Sequence, residues 1–248
     1  MKKDRGIKEF DDYLGNLSKE IQKKINLKGK VKILDAGCGY GLVMAGLIKR
    51  FGNSVEIIGY NQKREHGTIK DFKEKTIKDK IFTKEEIKKL NNFPKILYLD
   101  ADNGLPFKTN SFDFIYSLAS VYLYKDKIKF FEECNRILKS GGIARIHLFE
   151  TSIFGKKQEI ISKNKFFLQK NFLEIKNNEK ETDFIDYLKK FKNLKIKIGK
   201  RKDNFHSIIY LEIRKIYSLN FNLKFVNSID LSSIAPDKFG IKSIYSQT

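Results

Sequence analysis

Val31-Lys32-Ile33-Leu34-Asp35-Ala36-Gly37-Cys38-Gly39-Tyr40-Gly41 is a short apolar run that ends on glycines at every second position. It reads as a strand closed by a tight turn, and 42–50 beyond it has the pattern of a helix. Glycine at a strand-to-helix turn lets the backbone pass close to a ligand. What the loop lacks narrows its chemistry. A nucleotide P-loop needs G-x-x-x-x-G-K-[ST], which is absent, and the dinucleotide fingerprint G-x-G-x-x-G meets Leu42 where its third glycine belongs. Pyrophosphate cradling is therefore not expected.

The surrounding chain extends this pattern. Upstream, Ile7, Phe10, Leu14, Leu17, Ile21 and Ile25 fall at helical spacing, which predicts an amphipathic helical segment over 7–27 ended by Gly29. Downstream, strands are predicted at 55–60, 96–99, 112–117 and 143–149. A Lys-rich, largely helical stretch covers 62–93, and a helix over 128–138 meets a stop signal at Ser140-Gly141-Gly142. Further on, 156–193 is helical in pattern, with Phe184, Leu188 and Phe191 on one face. Residues 194–198 and 207–213 read as two strands able to pair antiparallel across the polar loop 199–206, and 214–248 carry little pattern. Strands alternating with helices indicate a parallel sheet covered on both faces.

Composition sets outer limits. A chain of 248 residues suits one domain with insertions. Its 41% hydrophobic and 13% aromatic content excludes a wholly disordered chain. No apolar run approaches the ~18 residues of a membrane span. The opening Met1-Lys2-Lys3-Asp4-Arg5-Gly6 leads into a mixed polar stretch and not into a secretory signal, so a cytoplasmic location is expected. Cys38 and Cys134 make neither a disulfide framework nor a zinc cluster; reduced thiols and no metal are expected.

The formal net charge of +20 raises the question of nucleic acid. Only seven of the 50 basic residues are arginine, and the 43 lysines are spread over the whole chain. Arginine is the preferred group for planar, bidentate contacts, so a solvated cationic surface is the better reading.

Two later blocks bear on the glycine loop. Asp100-Ala101-Asp102-Asn103-Gly104-Leu105-Pro106-Phe107 is followed by Asn110-Ser111-Phe112-Asp113, and Arg136-Ile137-Leu138-Lys139-Ser140-Gly141-Gly142 comes after that. With the loop, in this order, they resemble the class I S-adenosylmethionine-dependent methyltransferases: the first motif, the D-A-x-x-LPF…xSFD block, and R-x-LKPGG with Ser140 in place of proline. The resemblance spans about 31–150. It implies an α/β fold, a Rossmann-like doubly wound, mostly parallel seven-stranded sheet with an antiparallel last strand. Together with the patterning it divides the chain into a helical segment over 1–30, the methyltransferase domain over 31–213 with insertions at 62–93 and 151–193 where the family builds substrate covers, and an unplaced extension at 214–248.

The resemblance carries a cofactor, S-adenosylmethionine, with S-adenosylhomocysteine as product. Asp35, Gly37, Cys38 and Gly39 would lie at its amino-acid end and ribose. Asp100 and Ala101 would flank the adenine, with Asp102 as a shifted alternative, and Ser117 would stand close by. One position departs from the family. At the end of the second strand, where an acid usually accepts both ribose hydroxyls, stands Asn61. A neutral acceptor makes a weaker bond than a charged one.

The activity implied is methyl transfer by in-line displacement. The absence of Asn-Pro-Pro-Tyr after the fourth strand, where Ser117-Leu118-Ala119-Ser120 stands, argues against amine methylation of DNA bases or glutamine. O-methylation of a small metabolite, sugar or glycan precursor is favoured. An RNA methyltransferase and a non-catalytic cofactor-binding protein are the alternatives. An alcohol acceptor needs a proton acceptor, and the candidates are His206, Tyr122 and Glu150. His147 is read as a packed sheet histidine, roughly 10 Å inside its strand, and His66 as lying on the adenosine side.

Overall fold

The alternation of short apolar runs with helical patterns builds one seven-stranded sheet: β1 (Val31–Ala36), β2 (Val55–Asn61), β3 (Lys95–Tyr98), β4 (Phe112–Ser117), β5 (Leu138–His147), β6 (Leu194–Lys202) and β7 (Ser207–Lys215). Its spatial order is β3-β2-β1-β4-β5-β7-β6. The first five strands are parallel, β7 runs antiparallel to β5, and β6 pairs antiparallel with β7. This is the expected doubly wound sheet, with β7 alone reversed. The structure, a computed structural model, describes residues 6–62, 68–118, 120–121, 124, 126–147, 188, 190–202 and 207–216.

Side chains alternate across each strand, so the two sheet faces receive different layers. Ile33, Ile57, Phe114 and Ile143 pack under the helices α1 (Ile7–Tyr13), α2 (Leu17–Lys28), α3 (Leu42–Phe51) and α4 (Ile69–Lys78), joined by Phe10, Leu17, Met44 and Phe72. After α4 comes the short α5 (Lys84–Lys89). On the opposite face, Leu34, Ile58, Ile115 and Ala144 meet Phe130, Phe131, Cys134 and Ile137 of α6 (Lys127–Ile137). Full burial of each large side chain contributes about 1.5–3 kcal/mol, so these two layers are the main favourable term.

The expected single helix over 7–27 is two helices. Between them Gly15 and Asn16 adopt left-handed φ of 65° and 57°, and a Cβ on Gly15 would overlap the Tyr210 hydroxyl. The break is held from across the sheet. The buried Arg145 donates to the carbonyls of Leu14 and Gly15 at 2.6 and 2.8 Å and is paired with Glu212. A buried guanidinium needs such partners, so helix hydrogen bonds are given up here.

The glycines expected to stop the helix over 128–138 do something else. The helix already ends at Ile137, and Gly141 and Gly142 lie inside β5, where the pairing slips from Phe112–Leu138 to Phe114–Ile143. Five residues of β5 thus span two of β4, a bulge that absorbs the extra chain.

Within the Lys-rich stretch, α4 and α5 each begin with a capping box, Thr68 with Asp71 and Thr83 with Glu86. Phe72 is fully buried, so α4 belongs to the core layer. Residues 151–187, part of the second expected insertion, and 217–248 of the C-terminal extension lie outside the described residues. Among the described residues, no helix is long and apolar enough to cross a membrane.

Candidate functional site

The register brings the ends of three strands to one level. Ala36 pairs with Tyr60, and Asp35 lies between Gly59 and Tyr116. Open α/β sheets take ligands at this carboxyl edge, beside the point where strand order reverses. Here that point lies between β1 and β4.

The glycine loop hangs from β2. The amides of Gly37 and Cys38 both donate to the Tyr60 carbonyl at 3.0 Å, and the Gly41 amide donates to the Cys38 carbonyl at 2.9 Å. Two of its glycines serve different ends. Gly37, at φ 82°, lies so close to Ser120 that a Cβ would overlap that side chain. Gly39, at φ 55°, has nothing among the described residues within 4 Å of where a Cβ would stand. Gly37 is thus required by packing, and Gly39 leaves the loop's backbone open to an incoming group.

Asn61 closes the loop from the end of β2. Its Oδ1 accepts from the Gly39 amide at 2.8 Å, and its Nδ2 donates to the Gly39 carbonyl at 2.9 Å. Below, the Ala36 carbonyl lies within hydrogen-bonding distance of the Ser117 and Ser120 hydroxyls, which are 2.6 Å from each other. With one proton each, the two hydroxyls satisfy two of these three contacts at a time.

Asp35 is 3% exposed and accepts from the Tyr116 hydroxyl at 2.7 Å. Burial raises its carboxyl to about 7, while the Tyr116 bond pulls the other way. The Tyr116 phenol is itself pushed well up by burial and by the Asp35 charge, and Phe10 backs its ring edge-on at 4.8 Å. Burial, followed by the Asp35 charge, also raises the Cys38 thiol well above its ordinary range. A thiol so placed stays protonated at neutral pH and is no nucleophile.

Asp100 accepts from the Asp102 amide at 3.1 Å and from Gln62 Nε2 at 3.3 Å, capping the turn that buries Ala101. Asp102 instead accepts from the amide of Asp126, at the start of α6. Gln62 therefore ties Asp100 to the end of β2, and Asp102 is tied to the α6 side.

Of the acceptor-side candidates, Tyr122, Glu150 and His206 lie outside the described residues, as does His66. His147 is 6% exposed and packed within the sheet, as read. Ile146 pairs with Ser117, the last residue of β4, so His147 stands level with the end of that neighbouring strand. It pairs with Tyr210 of β7, and its ring meets Tyr13 edge-on at 4.7 Å. No local signal marked Tyr13.

An open groove of about 680 Å³ lies elsewhere, between the start of α1, the outer side of α3 and the turn at 78–81. It has no residue of the glycine loop in its lining. Among the described residues, no cluster of His, Cys, Asp and Glu could hold a metal ion.

Residues 34–146 match the family described as Methyltransferase domain. The demethylmenaquinone methyltransferase of Staphylococcus saprophyticus is 31% identical over 134 residues, 54% of this chain and 50% of that one. The sarcosine/dimethylglycine N-methyltransferase of Aphanothece halophytica is 26% identical over 133 residues, 54% of this chain and 43% of that one. The chain thus spans about half the length, or less, of these curated relatives. The solved CurJ carbon methyltransferase superimposes with a TM-score of 0.51 at 14% identity, over 82% of this chain and 53% of that one, a likeness of fold.

Proposed function

We propose that the chain is a class I S-adenosylmethionine-dependent methyltransferase, a reading supported by the match of residues 34–146 to the family described as Methyltransferase domain, and that it methylates a small-molecule acceptor and releases S-adenosylhomocysteine. The observation that carries this is the turn at 37–41 on the carboxyl edge, open at Gly39 and flanked by the buried Asp35. These residues suit the cofactor. An open backbone admits its amino-acid end, and an acid complements its positive groups.

When bound, S-adenosylmethionine supplies a methyl group on a cationic sulfur that a nucleophile displaces in line. The chain's work is alignment. Gly37 against Ser120 sets the height of the loop, and Asn61 fixes its tip. Asp35 offers a carboxylate, and Asp100 with Ala101 holds the far end. Holding donor and acceptor in one geometry supplies much of the rate in such reactions.

For the acceptor we favour a hydroxyl of a small metabolite or glycan precursor. The names of the two relatives give a quinone and an amine as acceptors, so what they share is that each acceptor is a metabolite and not a macromolecule. A hydroxyl must shed its proton. His206, Tyr122 and Glu150 are proposed for that step. A second reading, RNA methylation, rests on the +20 charge; a steep salt dependence of RNA binding would support it.

Calorimetric titration with S-adenosylmethionine and with S-adenosylhomocysteine tests the proposal. Both should bind the native chain, and Gly39→Val should abolish binding by filling the open face. Absence of heat at millimolar ligand would overturn it. Transfer of labelled methyl into a fractionated cell extract would then identify the acceptor class.

A further inference from the structure

The position that carries the ribose-binding acid in related enzymes is occupied here by a residue whose amide is already engaged. Both ends of the Asn61 side chain meet the backbone of one residue. The Gly39 amide donates to Oδ1 at 2.8 Å, and Nδ2 donates to the Gly39 carbonyl at 2.9 Å. This closed pair fixes the peptides on either side of Gly39, the one loop glycine described with open space where a Cβ would stand. Asn61 is 7% exposed, so these bonds form largely away from competing water.

We propose that Asn61 is a positioning residue that latches the cofactor loop through Gly39, and that a carboxylate is excluded from this position by the Gly39 carbonyl. The inference rests on the reading of the loop as the S-adenosylmethionine site. Its chemistry is a matter of counting donors. The Gly39 backbone presents one donor and one acceptor, and only a side chain with an acceptor and a donor in one plane can answer both. Asparagine does so. An ionised aspartate has acceptors alone, and it would set a charged oxygen against the Gly39 carbonyl where Nδ2 now stands at 2.9 Å. A protonated aspartate restores the donor. The departure from the family's acid therefore has a local cause: the loop demands an amide.

This reading and a ribose-acceptor role predict opposite signs. If Asn61 accepted from ribose hydroxyls, Asn61→Asp would supply a charged acceptor and tighten binding at high pH. If Asn61 latches the loop, Asn61→Asp weakens binding at pH 8 and recovers towards pH 5, because burial and the facing Gly39 carbonyl favour the protonated form of the new carboxyl. The titratable and charged groups around the latch are Asp35 on β1, Cys38 and Tyr40 in the loop, Tyr98 on β3, Asp100 beside Gln62, and Lys75 of α4 near Tyr40. They are common to variant and native protein, so the ratio of the two affinities at each pH isolates position 61.

The experiment is titration of S-adenosylhomocysteine into native protein and Asn61→Asp at pH 8 and pH 5, paired with hydrogen exchange of the Gly39 amide in ligand-free protein. The expected result is at least a tenfold loss of affinity relative to native at pH 8 and no more than a threefold loss at pH 5. Gly39 exchange should rise about tenfold at pH 8 in Asn61→Leu, which removes the acceptor of the Gly39 amide that an aspartate keeps. Equal or tighter binding by Asn61→Asp at pH 8 with unchanged Gly39 exchange in Asn61→Leu would overturn the latch. If native protein binds no cofactor, the functional proposal falls, and the exchange measurement still decides the latch. Where Asn61→Asp does not fold, Asn61→Leu, which offers neither donor nor acceptor, should raise Gly39 exchange at both pH values, and protection equal to native would overturn the proposal.

Discussion

Asp35 and Asp113 are both buried aspartates on neighbouring central strands, and they stand at opposite ends of the sheet. Asp113, 1% exposed near the start of β4, is surrounded by positive partners. Lys139 reaches it at 2.7 Å, Lys28 at 3.8 Å, and the Lys32 amide donates to it at 3.0 Å. Asp35, 3% exposed at the end of β1, is met by the neutral Tyr116 hydroxyl, and its carboxyl is raised to about 7. Among the described residues, no lysine or arginine pairs with it. Burying a charge without a counter-charge is costly, so a protein that keeps one uncompensated does so where a partner arrives from outside. The amino edge of the sheet pairs its buried acid with lysines. The carboxyl edge leaves Asp35 with a neutral partner, and on the proposed function the positive groups of the cofactor would supply the missing charge.

The contrast is tested most strongly by pH. Asp35 is raised from 3.8 to about 7 in the folded chain. Between those values the folded state binds more protons than the unfolded one. Its contribution to stability is therefore complete below the unfolded value and is lost as pH rises through 7, with a slope of up to ~1.4 kcal/mol per pH unit. Asp35→Asn should remove that slope. Denaturant melts of ligand-free protein from pH 5 to 8 should show the variant gaining on native as pH rises. Parallel curves would break the comparison. The same variant should bind S-adenosylmethionine more weakly at pH 8, by roughly the 1.5–3 kcal/mol of a charge-assisted bond, a ten- to hundredfold loss.

Asp113 should answer the other way. Asp113→Asn removes the charge that Lys139 and Lys28 serve, and these lysines are partly solvent-exposed, so the loss is discounted to about 1–2 kcal/mol of stability. Cofactor affinity should stay within twofold of native. A stability loss for Asp35→Asn equal to that for Asp113→Asn would show that both acids are ordinary structural groups.

How far the sequence announces this arrangement depends on the range of the interaction involved. The strands were legible because each is a short apolar run bounded by glycine or polar turns, and β1 with its loop is the plainest. The break at Gly15 was not, since its cause is Arg145 and Tyr210, far along the chain. The bulge at Gly141 and Gly142 resembled a helix stop because glycine serves both purposes. At the candidate site, Asp35, Gly37, Gly39, Asn61 and Ser117 were marked by the resemblance to the family, and they stand together at one sheet edge. Pattern did not show what Asn61 holds, because a hydrogen-bonded partner 22 residues away leaves no periodic trace. Nor did it show that His147 stands level with the end of β4, which depends on the register between β4 and β5.

The smallest expected effect separates two partners for Asp35. S-adenosylmethionine has a sulfonium and an ammonium, and S-adenosylhomocysteine retains only the ammonium. Binding of either positive group near Asp35 favours the ionised carboxylate, so a fraction of a proton leaves the protein as ligand binds near pH 7. If Asp35 answers the ammonium, both ligands should release the same fraction. If it answers the sulfonium, S-adenosylmethionine should release more, by a few tenths of a proton. Calorimetry at pH 7 in two buffers of different ionisation enthalpy reads that fraction directly. Release with neither ligand, or equal release in Asp35→Asn, would mean that the carboxylate faces no positive group of the cofactor. Its burial would then be a cost that the carboxyl edge carries for another reason, and the contrast with Asp113 would no longer point to the ligand.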